Sequence, residues 1–225
     1  RQGDPRDPLL LQVLPQLDEL DEVPGFVADA VGDLAAREAQ GVLHKYQGRA
    51  LLIASGSCAI NCRYCFRRHF PYGEEMAAAG QWRQALEYLR RDRSISELIL
   101  SGGDPLALAT GKLEELGHGL AGLPHVTRLR IHSRLPVVLP ERIDDAFVAW
   151  LAGLPLQKVV VLHANHANEL DASVDAACAR LRAAGATVLN QSVLLRGVND
   201  DADTLAALSE RLFAAGVLPY YLHQL

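Results

Sequence analysis

Residues 50–65 read ALLIASGSCAINCRYC. A short apolar run at 50–54 (ALLIA) is followed by Cys58, Cys62 and Cys65 in the spacing C-x3-C-x2-C. The run has the length and composition of a buried strand. The same kind of run recurs downstream at 97–100 (ELIL), 127–132 (TRLRIH), 157–162 (QKVVVL), 186–193 (ATVLNQSV) and 217–222 (VLPYYL). Helical patterns near 78–91, 112–121, 144–153, 170–184 and 203–215 fill the gaps. Gly185 and Gly216 stand just past two of these helices, where a left-handed C-cap is wanted. A strand–helix rhythm ending on a sixth strand predicts an α/β domain with a parallel sheet and helices outside. Six units form either an open partial barrel or a doubly wound sheet, and periodicity does not separate the two. In both, ligands gather at the carboxyl ends of the strands.

Upstream, residues 1–49 carry Asp4-Pro5, Asp7-Pro8 and Pro24-Gly25 and read as loops and short helices, a helical lead-in to a core domain over 50–225. The net charge of −5, with basic residues scattered, argues against a nucleic-acid partner. No run is long enough to span a membrane and no signal peptide opens the chain, so a cytoplasmic protein is expected. The chain starts at Arg1 and stops at Leu225 after an apolar run, and both ends read as cut. Of four cysteines, three lie within eight positions, which points to metal rather than to a disulfide scaffold. Cys178, in an alanine-rich helical stretch, reads as buried and inert.

Three thiolates on one loop can hold three irons of a [4Fe–4S] cubane and leave the fourth open to a small molecule. S-adenosylmethionine (SAM) can chelate that iron through its amino and carboxylate groups. An electron from the cluster then releases a 5′-deoxyadenosyl radical, chemistry beyond any side chain. Tyr64, just before the last cysteine, fits this pattern. The competing reading is a structural zinc site completed by His69. Ser101-Gly102-Gly103-Asp104-Pro105 follows the second strand, where glycines let backbone approach a ligand. Its plainer reading is a turn with Asp104 as a helix cap.

The loop CAINCRYCFRRHF resembles that of the lysine 2,3-aminomutases, and so do DPLLLQVLP, LLHKYQGRALL, LILSGGDPL, LRIHSRLPVVLPERI, HANHANEL, LNQSVLLRGVND and LPYYLHQL. The likeness is strongest to the bacterial branch that makes (R)-β-lysine for elongation factor P. It implies a partial (β/α)6 TIM-like barrel of the radical SAM type. It also implies an isomerase that uses SAM and pyridoxal 5′-phosphate (PLP) to move the α-amino group of L-lysine to carbon 3. The deoxyadenosyl radical removes a hydrogen from carbon 3 and later returns it. L-lysine and an electron donor are the implied partners, and a homo-oligomer is compatible with the sequence.

By resemblance, Cys58, Cys62 and Cys65 hold the cluster, and Tyr64, Ser101, Gly102, Gly103, Asp104, His132, His163, Asn165 and Gln191 meet SAM. Tyr46 and Arg49 belong to the PLP pocket, and the planar fork of Arg67 grips the lysine carboxylate. Each has a plainer reading: surface packing for Tyr46 and Arg49, a hydrogen-bonded core residue for His132, and local satisfaction for the other strand-end polar groups. Arg130 and Ser133 are grouped with His132 at the third strand end, Arg68 is a surface charge or phosphate contact, and His166 points elsewhere. Asn190 and Ser192 alternate away from Gln191 along the pleat. Asp200, Asp201 and Asp203 are read as helix-capping residues.

None of Lys45, Lys112 and Lys158 sits in a glycine-rich loop of the kind that anchors PLP in this family. The anchoring lysine and the carboxylates for the substrate ammonium are therefore expected beyond Leu225, and residues 1–225 alone are not expected to turn over lysine. Alternatives are an aminomutase for another amino acid such as glutamate or arginine, an enzyme that consumes SAM, and a zinc-bound module without catalysis.

Overall fold

The computed structural model describes residues 3–80 and 82–224. Arg1 and Leu225, the two ends read as cut, and Gln81, inside the helix expected over 78–91, lie outside the described residues. One eight-stranded sheet holds β1 (Arg37–Ala39), β2 (Val42–Tyr46), β3 (Arg49–Ser55), β4 (Glu97–Gly102), β5 (Arg128–Ser133), β6 (Gln157–His163), β7 (Ala186–Val193) and β8 (Leu218–His223), in that spatial order. The pairs from β3 to β8 are parallel, with Leu100 beside Ile131 and Val160 beside Val188. Spatial order never reverses, so the sheet is the wall of a partial barrel and not a doubly wound sheet. All six strands anticipated from the sequence are present, with ends shifted by one or two residues.

The period of two along each strand sorts the side chains. Ala50, Leu52 and Ala54, Leu98 and Leu100, Leu129 and Ile131, Val160 and Leu162 join one apolar core with the helices. The opposite, concave face carries Glu97, Ile99 and Ser101 on β4, Arg130 and His132 on β5, His163 on β6 and Gln191 on β7. Each fully buried leucine or isoleucine of the core contributes about 1.5–3 kcal/mol.

Among the described residues there are six α-helices: α1 (Arg83–Arg91), α2 (Thr110–Ala121), α3 (Leu135–Val138), α4 (Asp145–Gly153), α5 (Ala172–Ala183) and α6 (Ala202–Ala214). Gly185 and Gly216 have φ of 82° and 71° and form the expected left-handed caps. Asp201 accepts from Thr204 N at 2.8 Å as the N-cap of α6, in line with the capping role read for that acidic run. The helix anticipated over 78–91 is instead a 3-10 turn, Ala77–Gly80, followed by α1. The break falls at Trp82. Its backbone is left-handed at φ 62°, and its buried indole Nε1 donates to Lys112 O at 2.9 Å.

The lead-in differs from expectation. It holds 3-10 turns at Leu10–Gln12, Leu17–Leu20 and Leu34–Ala36, but also β1 and β2. β2 pairs antiparallel with β3, setting buried Val42 and Leu43 opposite Leu52 and Leu51. Only two residues of β2 are buried, and the polar remainder (His44, Lys45, Tyr46) hid the strand in the sequence. Among the described residues, no helix is long and apolar enough to cross a membrane.

Candidate functional site

The cysteine loop leaves the carboxyl end of β3. Cys58 is exposed, while Cys62 and Cys65 are half-buried on a tight turn in which Cys65 N donates to Cys62 O at 3.2 Å. Tyr72 closes the loop from outside, its hydroxyl donating to Gly102 O at 3.0 Å. Although Cys58 is exposed overall, partial desolvation of its thiol and then the nearby Asp104 carboxylate push it up to about 12, and a metal that binds it takes the place of the proton. Among the described residues no three Cys, His, Asp or Glu side chains converge on one point, and His69 is exposed. A cubane takes each thiolate at a different iron, so its ligands need not converge as those of a zinc ion must.

The Gly102-Gly103 turn at the end of β4 packs against this loop backbone to backbone. A Cβ on Gly102 would lie 2.6 Å from Ser55 O, and one on Gly103 would lie 2.6 Å from Ser57 O. Gly102 also has φ 118°, in the region that glycine alone adopts freely. Asp104 ends the turn as a cap, accepting from Leu106 N at 2.9 Å, and is buried. Its carboxylate also accepts from Ser133 Oγ at 2.7 Å, Arg134 N at 2.8 Å and Leu135 N at 3.2 Å. Burial raises the pKa of Asp104 despite these donors. Asp104 thus ties the end of β4 to the end of β5.

Arg134, the residue after β5, carries that tie to the cysteines. Its Nη1 donates to Cys62 Sγ at 2.8 Å and to Tyr64 Oη at 2.6 Å. Its Nη2 donates to Gln12 Oε1 at 2.8 Å and Glu169 Oε2 at 3.1 Å. Asn165 Nδ2 completes the net, donating to Gln12 Oε1 at 2.9 Å and Tyr64 Oη at 2.7 Å. Burial alone would pull the guanidinium down, but the Tyr64 oxygen, the Cys62 sulfur and the Glu169 carboxylate together hold it up. Nothing in the local sequence pattern assigns a role to Gln12, Arg134 or Glu169.

On the concave face, Gln191 bridges two histidines. His132 Nδ1 lies 3.0 Å from Gln191 Oε1, and Gln191 Nε2 lies 2.7 Å from His163 Nε2. The amide oxygen only accepts, so His132 carries its proton on Nδ1. Burial, then the neighbouring Arg130 charge, lowers His132 to about 3, and burial and His132 lower His163 well below 6.5. Both rings are neutral. Asn190 and Ser192 turn to the opposite face, where both bond to Ala164 O, as the pleat requires. Arg130 does not reach the strand ends; it pairs with Glu97 at 2.6 Å at the start of β4.

Arg67 is buried against the lead-in. Its Nε donates to Asp33 Oδ2 at 2.6 Å and its Nη1 to Ser101 Oγ at 2.9 Å, and Lys45 pairs with the other Asp33 oxygen. Tyr46 and Arg49 lie apart from the cysteine loop, facing each other across the β2–β3 turn at the amino end of β3. Tyr46 is 66 % exposed, and the Arg49 guanidinium lies 5.9 Å from its ring centre. Arg68 turns outward to Glu19 at 3.1 Å, and His166 caps a 3-10 turn through Asn168 N.

The residues present fit a cluster and a polar guest beside it. His132 Nε2 and Arg134 Nε are buried without a partner among the described residues, both near the polar strand ends. Arg49 is exposed and, among the described residues, has the Tyr46 ring as its one ring contact, so its donors are open to an anion such as the PLP phosphate. Between α2 and the amino ends of the strands lies a groove of about 420 Å³, bordered by Leu120, Val126 and Leu156 and without a titratable group.

The radical SAM superfamily model matches residues 52–208. An L-lysine 2,3-aminomutase from Escherichia coli is 53 % identical over 223 residues, covering 99 % of this chain and 65 % of that protein. One from Haemophilus influenzae is 50 % identical over 223 residues, covering 99 % and 66 %. One from Clostridium subterminale is 35 % identical over 224 residues, covering 99 % and 53 %. The chain therefore spans about two thirds or less of the length of these relatives. A radical S-adenosylmethionine methyltransferase from Kitasatospora setae, solved with cobalamin and a [4Fe–4S] cluster, superposes with a TM-score of 0.51 at 13 % identity, over 79 % of this chain and 36 % of that one. That likeness concerns the fold.

Proposed function

The chain belongs to the radical SAM superfamily, and on that premise we propose that it is the cluster- and SAM-binding core of a PLP-dependent lysine 2,3-aminomutase that supplies (R)-β-lysine for elongation factor P. The observation that carries the reading is the convergence of the cysteine loop, the Gly102-Gly103 turn and the His132–Gln191–His163 bridge at one end of the barrel, in a chain 53 % identical to an L-lysine 2,3-aminomutase. When bound, the cluster and SAM supply a hydrogen-abstracting radical and PLP carries the migrating amine.

The chain's own residues bind and orient. Cys58, Cys62 and Cys65 anchor iron. Ser101, Gly102 and Gly103 would leave backbone open to SAM beside the cysteine loop, and Asp104 and Asn165 fix the neighbouring strand ends. His132 presents the bare lone pair of Nε2 and therefore accepts from a donor on the guest, while Gln191 and His163 fix that tautomer. Tyr64 walls the cluster side. Arg67, held side-on by Asp33, takes the substrate carboxylate, and Tyr46 with Arg49 takes part of PLP. We place the protein in the cytoplasm, where thiols stay reduced, with a separate electron donor and a capacity to self-associate.

The test is anaerobic reconstitution with iron and sulfide. A brown protein whose cubane EPR signal changes on adding SAM supports the reading; zinc in place of iron ends it. In a chain that also carries a PLP-anchoring lysine, L-lysine with SAM, PLP and dithionite should give β-lysine with deoxyadenosine well below one per product. Preference for glutamate or arginine over lysine would move the substrate, and stoichiometric deoxyadenosine would show that SAM is consumed.

A further inference from the structure

We propose that Arg134 is a positioning residue for the iron–sulfur cluster: braced by Gln12 and Glu169, it donates a charged hydrogen bond to the Cys62 thiolate and so makes the cluster easier to reduce. The inference rests on reading Cys58, Cys62 and Cys65 as cluster ligands, and on nothing about PLP or lysine.

The geometry is specific. Arg134 Nη1 points at Cys62 Sγ from 2.8 Å. Its backbone is fixed by Asp104, which accepts from Arg134 N at 2.8 Å. Its other terminal nitrogen is fixed by Gln12 and Glu169. The whole side chain is buried, so solvent does not screen the contact. Of the two neighbouring charges, the guanidinium faces the sulfur and the Glu169 carboxylate lies behind it. The pair is a dipole with its positive end toward the cluster. Reduction adds negative charge to the cluster, and a positive end aimed at a ligating sulfur stabilises the reduced state more than the oxidised one.

Gln12 gives the brace an unexpected origin. It comes from the lead-in, inside an apolar run, and its side chain is almost completely buried. It accepts from Arg134 and Asn165 through Oε1 and donates to Glu169 Oε1 at 3.1 Å and Pro8 O at 3.2 Å through Nε2. Its backbone carbonyl also receives Arg63 N, inside the cysteine loop, at 2.9 Å. The segment ahead of the barrel is thereby attached to the cluster loop and to the residue that polarises it. Gln12 carries no charge, so any effect it has on the cluster passes through the position of Arg134.

The experiment is a potentiometric EPR titration of the anaerobically reconstituted chain without SAM, with iron and sulfide counted for each variant. Arg134→Gln should keep the cubane and lower its reduction equilibrium about tenfold, a shift of ~59 mV to more negative potential for one electron. Arg134→Lys should recover part of that shift. Gln12→Ala, which changes no charge, should move the potential in the same direction by a smaller amount and broaden the titration. A cubane in Arg134→Gln at the wild-type potential overturns the inference. Should Arg134→Gln fail to hold iron, Gln12→Ala decides: a loaded cluster at the wild-type potential overturns it, and a negative shift supports it. A wild-type protein that assembles no cubane overturns the cluster reading itself, which is a different result.

Discussion

Arg67 donates from Nε to Asp33 across a 2.6 Å contact in which the carboxylate side chain is 2 % exposed and the guanidinium 9 %. A buried pair of this kind adds little net stability, but removing one partner strands the other charge. Asp33→Ala should therefore cost about 3 to 5 kcal/mol, seen as a lower urea midpoint at unchanged slope. The double variant Asp33→Leu with Arg67→Met should recover much of the loss. Equal loss in the single and double variants would mean that packing, and not the charge pair, holds this part of the lead-in.

The two barrel histidines give a pH dependence with a definite sign. An unfolded imidazole protonates near 6.5. In the fold, burial keeps His132 neutral down to about 3 and His163 neutral well below 6.5. Across that window the unfolded chain binds more protons than the folded one, so stability present above pH ~6.5 is lost as pH falls. Each group contributes a slope of about 1.4 kcal/mol per pH unit. His132→Gln should flatten the curve of unfolding free energy against pH between about 6 and 4 by one proton. Parallel curves for variant and wild type would refute the assignment of a neutral buried ring.

Asp104 separates a binding role from a structural one. Both of its carboxylate oxygens are already used by protein donors, Leu106 N and Ser133 Oγ on one, Arg134 N and Leu135 N on the other. Asp104→Asn turns one oxygen into a donor that faces either the two N–H groups of Arg134 and Leu135 or the Leu106 N–H beside the Ser133 hydroxyl, so at least one backbone donor loses its acceptor. Hydrogen bonds to a charged group are worth about 1.5–3 kcal/mol each, so the variant should lose stability measurably by urea unfolding with no SAM present. A residue that served SAM alone would show no loss until SAM was added.

What the sequence disclosed and what it hid divide along chain distance. The strands of the barrel were legible because β-structure writes itself into a period of two. The same period placed Gln191 on the concave face and Asn190 and Ser192 on the other. The cysteine loop was legible because its ligands are neighbours in the chain. Gln12, Asp33 and Glu169 were not. Gln12 meets Glu169 across 157 positions and Asp33 meets Arg67 across 34, and no local pattern marks such partners. Gln12 carried a faint signal, a single amide inside the run Leu9-Leu10-Leu11-Gln12-Val13-Leu14, which needs a polar partner once that run packs. Arg130 misled for a related reason: its alternation is right, but its distance along β5 leaves it level with Ile99, its side chain turned to Glu97 at 2.6 Å and below the site.

The turn after β4 offers a test in which one methyl group is the whole perturbation. A Cβ at Gly103 would sit 2.6 Å from Ser57 O and 2.9 Å from Gly56 C, both backbone atoms of the cysteine loop. Backbone cannot rotate away as a side chain can, so Gly103→Ala must push the loop outward and separate Cys58 from its neighbours. Overpacking of this kind costs about 1–3 kcal/mol, and the displaced loop should hold less iron after reconstitution. Gly111→Ala is the matched control. It sits in the first turn of α2 with nothing within 4 Å of its added carbon. Alanine there should leave the iron content unchanged and raise stability by about 0.5–1 kcal/mol through helix propensity. Full iron and an unshifted melting temperature in Gly103→Ala would mean that the glycine turn does not brace the cluster loop.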